Sequence, residues 1–143
     1  MKPNRDCKEQ TRFWQRCVPN RLEDITAAAK EAGDWVRQAG APETAAHAAH
    51  FAIEELLTNT VQYGHPTNPS RISLELRPDV LLVHIEDDGR AFDPSKAPEP
   101  PLPKTLDERL PGGLGIHIVR QLVASLAYER RNGCNHVTLT IAR

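Results

Sequence analysis

Three short segments carry residue types whose spacing points to chemistry. In FAIEELLTNTVQYG, Glu55 and Asn59 lie four residues apart, so on a helix they project from one face, one turn from each other. Asn serves a helix poorly where Ala or Leu would do better, which points Asn59 toward a polar pocket. Its amide oxygen is a hard ligand suited to Mg²⁺, an ion that keeps waters and takes phosphate oxygens as its remaining ligands. Glu55, one turn away, can accept a proton from an attacking hydroxyl or water. In VHIEDDGRAFDP an apolar run ends in Asp87-Asp88-Gly89, and Phe92 follows. An aspartate there can accept the exocyclic amine of adenine, whereas guanine would set a carbonyl against the carboxylate. Gly89 lets the backbone pass close to a base without a Cβ in the way. In PGGLGIHIVRQLV, Gly112, Gly113 and Gly115 open a helix, so bare N–H groups and the positive end of the helix dipole converge where a phosphate can sit.

Taken singly, each segment has an ordinary alternative. Glu54 and Glu55 fit a solvated helix face, Asp-Gly fits a tight turn, and the glycines fit a linker into a helix. The third segment is neither a P-loop, since no Gly-Lys-Ser/Thr follows, nor a G-x-G-x-x-G placed after a strand.

The elements that must position these residues read as follows. Arg12 to Val18 alternates loosely and stops at Pro19-Asn20, a short strand. Asn20 is the expected N-cap of a helix from about Arg21 to Ala39, with a stripe of Leu22, Ile25, Ala29, Ala32 and Val36 and a stop at Gly40. Pro42 opens a second helix reaching about Tyr63. Ile72, Leu74 and Leu76 alternate, Pro78-Asp79 turns, and Val80 to Ile85 returns as the second arm of a hairpin. Residues 90–111 carry six prolines and no periodicity, a length of irregular chain that is often a lid or binding loop. Leu114 to Leu126 resumes helical spacing, and 127–131 with 136–141 form a last hairpin around Asn132-Gly133. The order strand, two helices, hairpin, loop, helix, hairpin predicts an α+β two-layer sandwich, with helices on one face of a mixed, mostly antiparallel sheet. Residues 1–11 read as a flexible tail and 12–143 as one domain.

Composition narrows the function. The 143 residues suffice for a core without staples. A formal net charge of -1 with interleaved signs gives no case for direct nucleic-acid or membrane-surface binding. No apolar run approaches the ~20 residues of a membrane span, and the polar start MKPNRDCKEQ lacks a secretory h-region. Cys7, Cys17 and Cys134 are odd in number and scattered, which suits a reducing, cytoplasmic setting. Among weaker signals, His47, His50 and Glu54 share a helical face at i, i+3 and i+7 and could hold a transition metal. Lys104 and Arg109 lie in the loop where a cation could clamp a γ-phosphate. His117 follows the glycines, and Phe13, Trp14 and Trp35 read as packing residues or a dimer surface.

In combination the segments are more specific. Glu-x-x-x-Asn on a helix, Asp-x-Gly-x-x-Phe, a loop, then Gly-x-Gly opening a helix resembles the GHKL (Bergerat-fold) nucleotide-binding superfamily. Within it, Glu55-Leu56-Leu57-Thr58-Asn59, the Asp-Pro after Phe92 and the run Gly113 to Arg120 look most like bacterial anti-sigma-factor serine/threonine kinases. The resemblance extends from about Arg12 to the C-terminus. It implies a histidine-kinase-like ATPase fold binding ATP and Mg²⁺, with Glu55 as general base and Asn59 as the Mg²⁺ ligand. It further implies nucleotide contacts from Asn59, Asp87, Gly89, Phe92, Arg109, Gly113, Leu114 and Gly115, and a lid over residues 93–111. Members sequester a sigma factor, phosphorylate a serine on a small anti-sigma-factor antagonist and often act as homodimers. The alternative is a non-catalytic, ATP-gated protein-binding module in a partner-switching pathway.

Overall fold

Alternation along the strands decides which side of the sheet is covered. The computed structural model describes residues 10–97 and 113–143. In β3 (Val80–Asp87), Leu81, Val83, Ile85 and Asp87 are buried, while Leu82, His84 and Glu86 face the other way and stay half-buried. In β5 (Cys134–Ala142), Asn135, Val137, Leu139 and Ile141 are buried and His136, Thr138 and Thr140 point out. Strand β2 (Ser70–Leu76) repeats the pattern with Ile72, Leu74 and Leu76 inward. This is the period of two that a sheet needs when one face packs on helices. With β1 (Arg12–Val18) and β4 (Ser125–Arg131) as edges, the order is β1-β2-β3-β5-β4. The sheet expected to be mixed and mostly antiparallel is antiparallel in every ladder among the described residues.

Three helices supply the covering layer: α1 (Leu22–Gln38), α2 (Glu43–Asn59) and α3 (Gly113–Leu122). Small residues let α1 and α2 approach closely. Ala28, Ala29 and Ala32 of α1 and Ala45, Ala46, Ala49 and Ala52 of α2 are almost wholly buried. A Cβ on Gly33 would stand only 3.2 Å from the His50 Cβ. Larger side chains, Ile25, Val36, Ile53 and Leu57, fill the space down to Leu74, Val83 and Leu139 on the sheet, each full burial worth roughly 1.5–3 kcal/mol. Trp14 and Trp35 pack against this core, whereas Phe13 on the edge strand is 71% exposed. No helix among the described residues is long and apolar enough to cross a membrane.

Four boundaries differ from the sequence reading. The N-cap position of α1 is Arg21 and makes no side-chain cap; the Asn20 amide instead donates to the Asn68 carbonyl 3.0 Å away, a long-range tie that outweighs the local cap. Pro42 sits one position before α2 as its N-cap rather than inside it. The second helix is α-helical only to Asn59 and then widens into a π-helical turn, Thr60–Gly64, closed by His65 with φ 49°. Thr60 Oγ1 donates back to the Leu56 carbonyl at 3.0 Å, a bond that bends helices. Finally, α3 stops at Leu122, and Leu126 belongs to β4, its periodic apolar spacing being served equally well by an inward strand position.

Candidate functional site

The site forms where the inward row of the sheet ends against α2 and α3. Asp87 and Asn135 are direct partners in the β3–β5 ladder, and both are buried where neighbouring inward positions are aliphatic. Two buried polar residues at the end of an apolar row must satisfy each other or a ligand. Asn135 Nδ2 donates to Asp87 Oδ1 at 2.9 Å, and the Gly89 N–H donates to the same oxygen at 2.9 Å. Among the described residues the other oxygen, Oδ2, has only Thr60 Oγ1 at 3.5 Å, and that hydroxyl already spends its proton on Leu56. Asp87 thus keeps one carboxylate oxygen in hand as an acceptor.

Asn135, Arg130 and Asp88 fix the loop that follows, and none of the three was singled out from the sequence. Asn135 Nδ2 also reaches the Arg90 carbonyl at 2.8 Å, and its Oδ1 accepts from the Tyr128 hydroxyl at 2.6 Å and Arg130 Nη1 at 3.1 Å. Arg130 Nη1 donates in addition to the Gly89 carbonyl at 2.7 Å. Asp88 turns away to accept from the Thr67 N–H at 2.8 Å and from the Asn68 Nδ2 at 2.8 Å. Desolvation pushes its carboxyl up, but these hydrogen bonds together prevail and hold it below the usual range. The Gly64 carbonyl accepts the Arg90 N–H at 2.9 Å, so the π turn and the Asp-x-Gly loop are joined. A Cβ on Gly89 would meet Asp87 Oδ1 and the Gly64 carbonyl oxygen, each at 3.0 Å, which is why this position takes glycine.

On the helical side, Glu55 and Gly115 come together although sixty positions apart in sequence. A Cβ built on Gly115 would fall onto the Glu55 carboxylate, 2.7 Å from Cδ. The start of α3 therefore lies over this carboxyl. Burial first, and the neighbouring Glu54 charge second, raise the Glu55 carboxyl above its ordinary value of 4.5. Asn59, one turn on, is 8% exposed, and its Nδ2 has no hydrogen-bond partner among the described residues. A buried amide without a partner is expensive unless something binds there.

The remaining sequence-derived positions are spread around this centre. Phe92 brings its N–H to 3.4 Å from Asn135 Oδ1 but leaves its ring half exposed. Gly113 opens α3, and Leu114 is half exposed beside it. His117 turns along its own helix to Gln121, 3.1 Å away. Arg120 Nη1 donates to the Ala97 carbonyl at 2.7 Å, tying α3 to the short 3₁₀ turn Pro94–Lys96. Arg109, Lys104 and residues 98–111 of the expected lid lie outside the described residues. The helical triplet does not assemble: His50 Nε2 is 3.6 Å from Glu54, whereas the His47 ring packs on Phe51.

A three-helix layer on an antiparallel sheet, with Glu55 and Asn59 on one helix and Asp87 at the sheet end, is the α+β arrangement that a resemblance to the GHKL superfamily implies. The histidine kinase-like ATPase domain family matches residues 18–141, and the chain belongs to that family. Among curated proteins, the serine/threonine-protein kinase BtrW of Bordetella bronchiseptica is 42% identical over 93 residues, which are 63% of this chain and 66% of that protein. The chain thus spans just under two thirds of that relative's length. Among solved structures, that of the RsbU and RsbW domains of Rv1364c from Mycobacterium tuberculosis superposes with a TM-score of 0.66 at 15% identity, covering 92% of this chain and 33% of that one. At that identity the likeness is one of fold.

Proposed function

We propose that this chain is an ATP-dependent serine kinase of the anti-sigma-factor type, acting in the cytoplasm. In this reading it sequesters a sigma-factor partner and transfers the γ-phosphoryl group of ATP to a serine of a small antagonist protein. The observation that carries it is the contact between the Glu55 carboxylate and Gly115 at the head of α3. A partly buried carboxylate against a helix start suited to phosphate supports this reading, because nucleotide binding alone does not require it.

Each residue has a part. Asp87 Oδ2 accepts the adenine amine, while Gly89 and Asn135 hold Oδ1 so that the carboxylate cannot turn. The N–H groups of Gly113, Leu114 and Gly115, left free at a helix start, receive phosphate oxygens. Asn59 would hold Mg²⁺ through its amide oxygen, and its buried Nδ2, without a partner among the described residues, would donate to a phosphate. When bound, the ion neutralises charge on the phosphate oxygens. Glu55 takes the proton of the attacking serine hydroxyl. By the resemblance, Arg109 is assigned to the γ-phosphate and residues 93–111 to the ATP lid.

Calorimetry tests the pocket. ATP with Mg²⁺ is expected to bind, and GTP to bind at least about a hundredfold more weakly, since carbonyl would face carboxylate. Equal binding of the two nucleotides would remove Asp87 as the base-reading group. Mass spectrometry of an antagonist-type protein incubated with the chain and Mg-ATP should reveal phosphoserine. Capture of that protein with ATP bound but no phosphorylation would leave a binding module. A Gly115→Ala change tests the geometry. The methyl displaces only the end of a flexible side chain, so the melting temperature should hold, yet transfer should fall roughly 10²-fold because Glu55 loses its position. Unchanged transfer in this variant would mean that Glu55 does not act from the place it occupies.

A further inference from the structure

The open face of the sheet, opposite the helices, carries a group that the proposed kinase chemistry does not use. His84, Glu86 and His136 each offer a ligand atom, and these atoms lie within 4.8 Å of one another; they are the one such trio among the described residues. Glu86 and His136 are direct partners in the β3–β5 ladder, and His84 is two positions back on the same face of β3. The three side chains are therefore fixed by two adjacent central strands. We propose that they form a transition-metal site of the His₂Glu type, suited to Zn²⁺.

The distances support it. Two Zn–N bonds of roughly 2.0–2.1 Å at a tetrahedral angle separate their nitrogens by about 3.3–3.4 Å. His136 Nδ1 and His84 Nε2 are 3.3 Å apart, and the rings are tilted at 33° with centroids 5.4 Å apart. Metal-binding imidazoles need the other ring nitrogen fixed by a hydrogen bond, which sets the tautomer. His84 has this partner in Thr138 Oγ1, 3.1 Å from Nδ1 and directly across the ladder. With Nδ1–H donating to that hydroxyl, Nε2 would carry the lone pair toward His136. Glu86 adds the negative charge, and no salt bridge among the described residues occupies it. Two imidazoles and one carboxylate favour Zn²⁺ over Mg²⁺ or Ca²⁺ and leave a fourth position to water. Asp87 and Asn135 are the chain neighbours of Glu86 and His136, so this site lies back to back with the proposed adenine end of the nucleotide pocket.

The test is competition of the chelator-stripped full chain against a chromophoric Zn²⁺ indicator, without nucleotide. One Zn²⁺ per chain is expected. His84→Ala, His136→Ala and Glu86→Gln should each weaken it by more than the roughly 10–100-fold that loss of an outer-shell partner costs. His50→Ala and a variant with Cys7, Cys17 and Cys134 all changed to Ser should bind as the parent does. Absence of binding, or affinity unchanged in the three ligand variants, would overturn the site, as would its loss in either control. Should a ligand variant fail to fold by circular dichroism, nitrogen resonances of the histidine rings in the parent chain decide. His84 and His136 must shift on adding Zn²⁺, and fixed resonances there would refute the proposal.

Discussion

A Glu55→Gln chain is expected to retain ATP binding and to lose phosphoryl transfer to a partner serine by about 10²–10⁴-fold, the range that a positioned general base contributes. Gln matches Glu in shape, so the contact with Gly115 persists, but an amide cannot take the serine proton. The pH dependence gives an independent reading of the same residue. Desolvation first, and the Glu54 charge second, place the Glu55 carboxyl above 4.5. A base works only when deprotonated, so transfer should rise with pH through that raised value and level off above it. Glu54→Gln removes the repelling charge and should move this acidic limb to lower pH, with the plateau unchanged. A Glu55→Gln chain that still phosphorylates its partner at the parent rate would exclude Glu55 as the base.

Replacing Asp87 by Asn should weaken ATP binding by about 3 kcal/mol, upward of a hundredfold, with the melting temperature little altered. The fold survives because the network dictates how the new amide lies. Gly89 N–H and Asn135 Nδ2 both donate to the Oδ1 position, so the amide oxygen must occupy it. The NH₂ then takes the place of Oδ2 and presents a donor to the adenine amine, itself a donor. The loss is therefore more than one missing hydrogen bond, because two buried donors are left facing each other. Calorimetry beside the parent chain measures it directly, and binding within threefold of the parent would place adenine elsewhere.

The sequence determined which segments become helix or strand, and which residues have chemistry to offer. Periods of 3.6 and 2 report burial on one side of an element, so α1 and the β2–β3 hairpin were legible from spacing alone. Glu55, Asn59, Asp87 and Gly115 stood out because each is costly or unusual where it lies, an amide near a helix end or a glycine opening a helix. Contacts across the chain were beyond it. Asn135 carries no signal of its own in the sequence, and only the ladder sets it opposite Asp87. The Asn20 amide left its own helix for Asn68, and the π turn after Asn59 follows from where the chain must go to meet Gly89. The His84–Glu86–His136 trio crosses two strands, so no single window contains it. Local pattern encodes the preference of each residue for water or interior, a property of neighbours along the chain. Register, and the partner that each buried polar atom finds, is decided only when distant strands align to bury their apolar faces together.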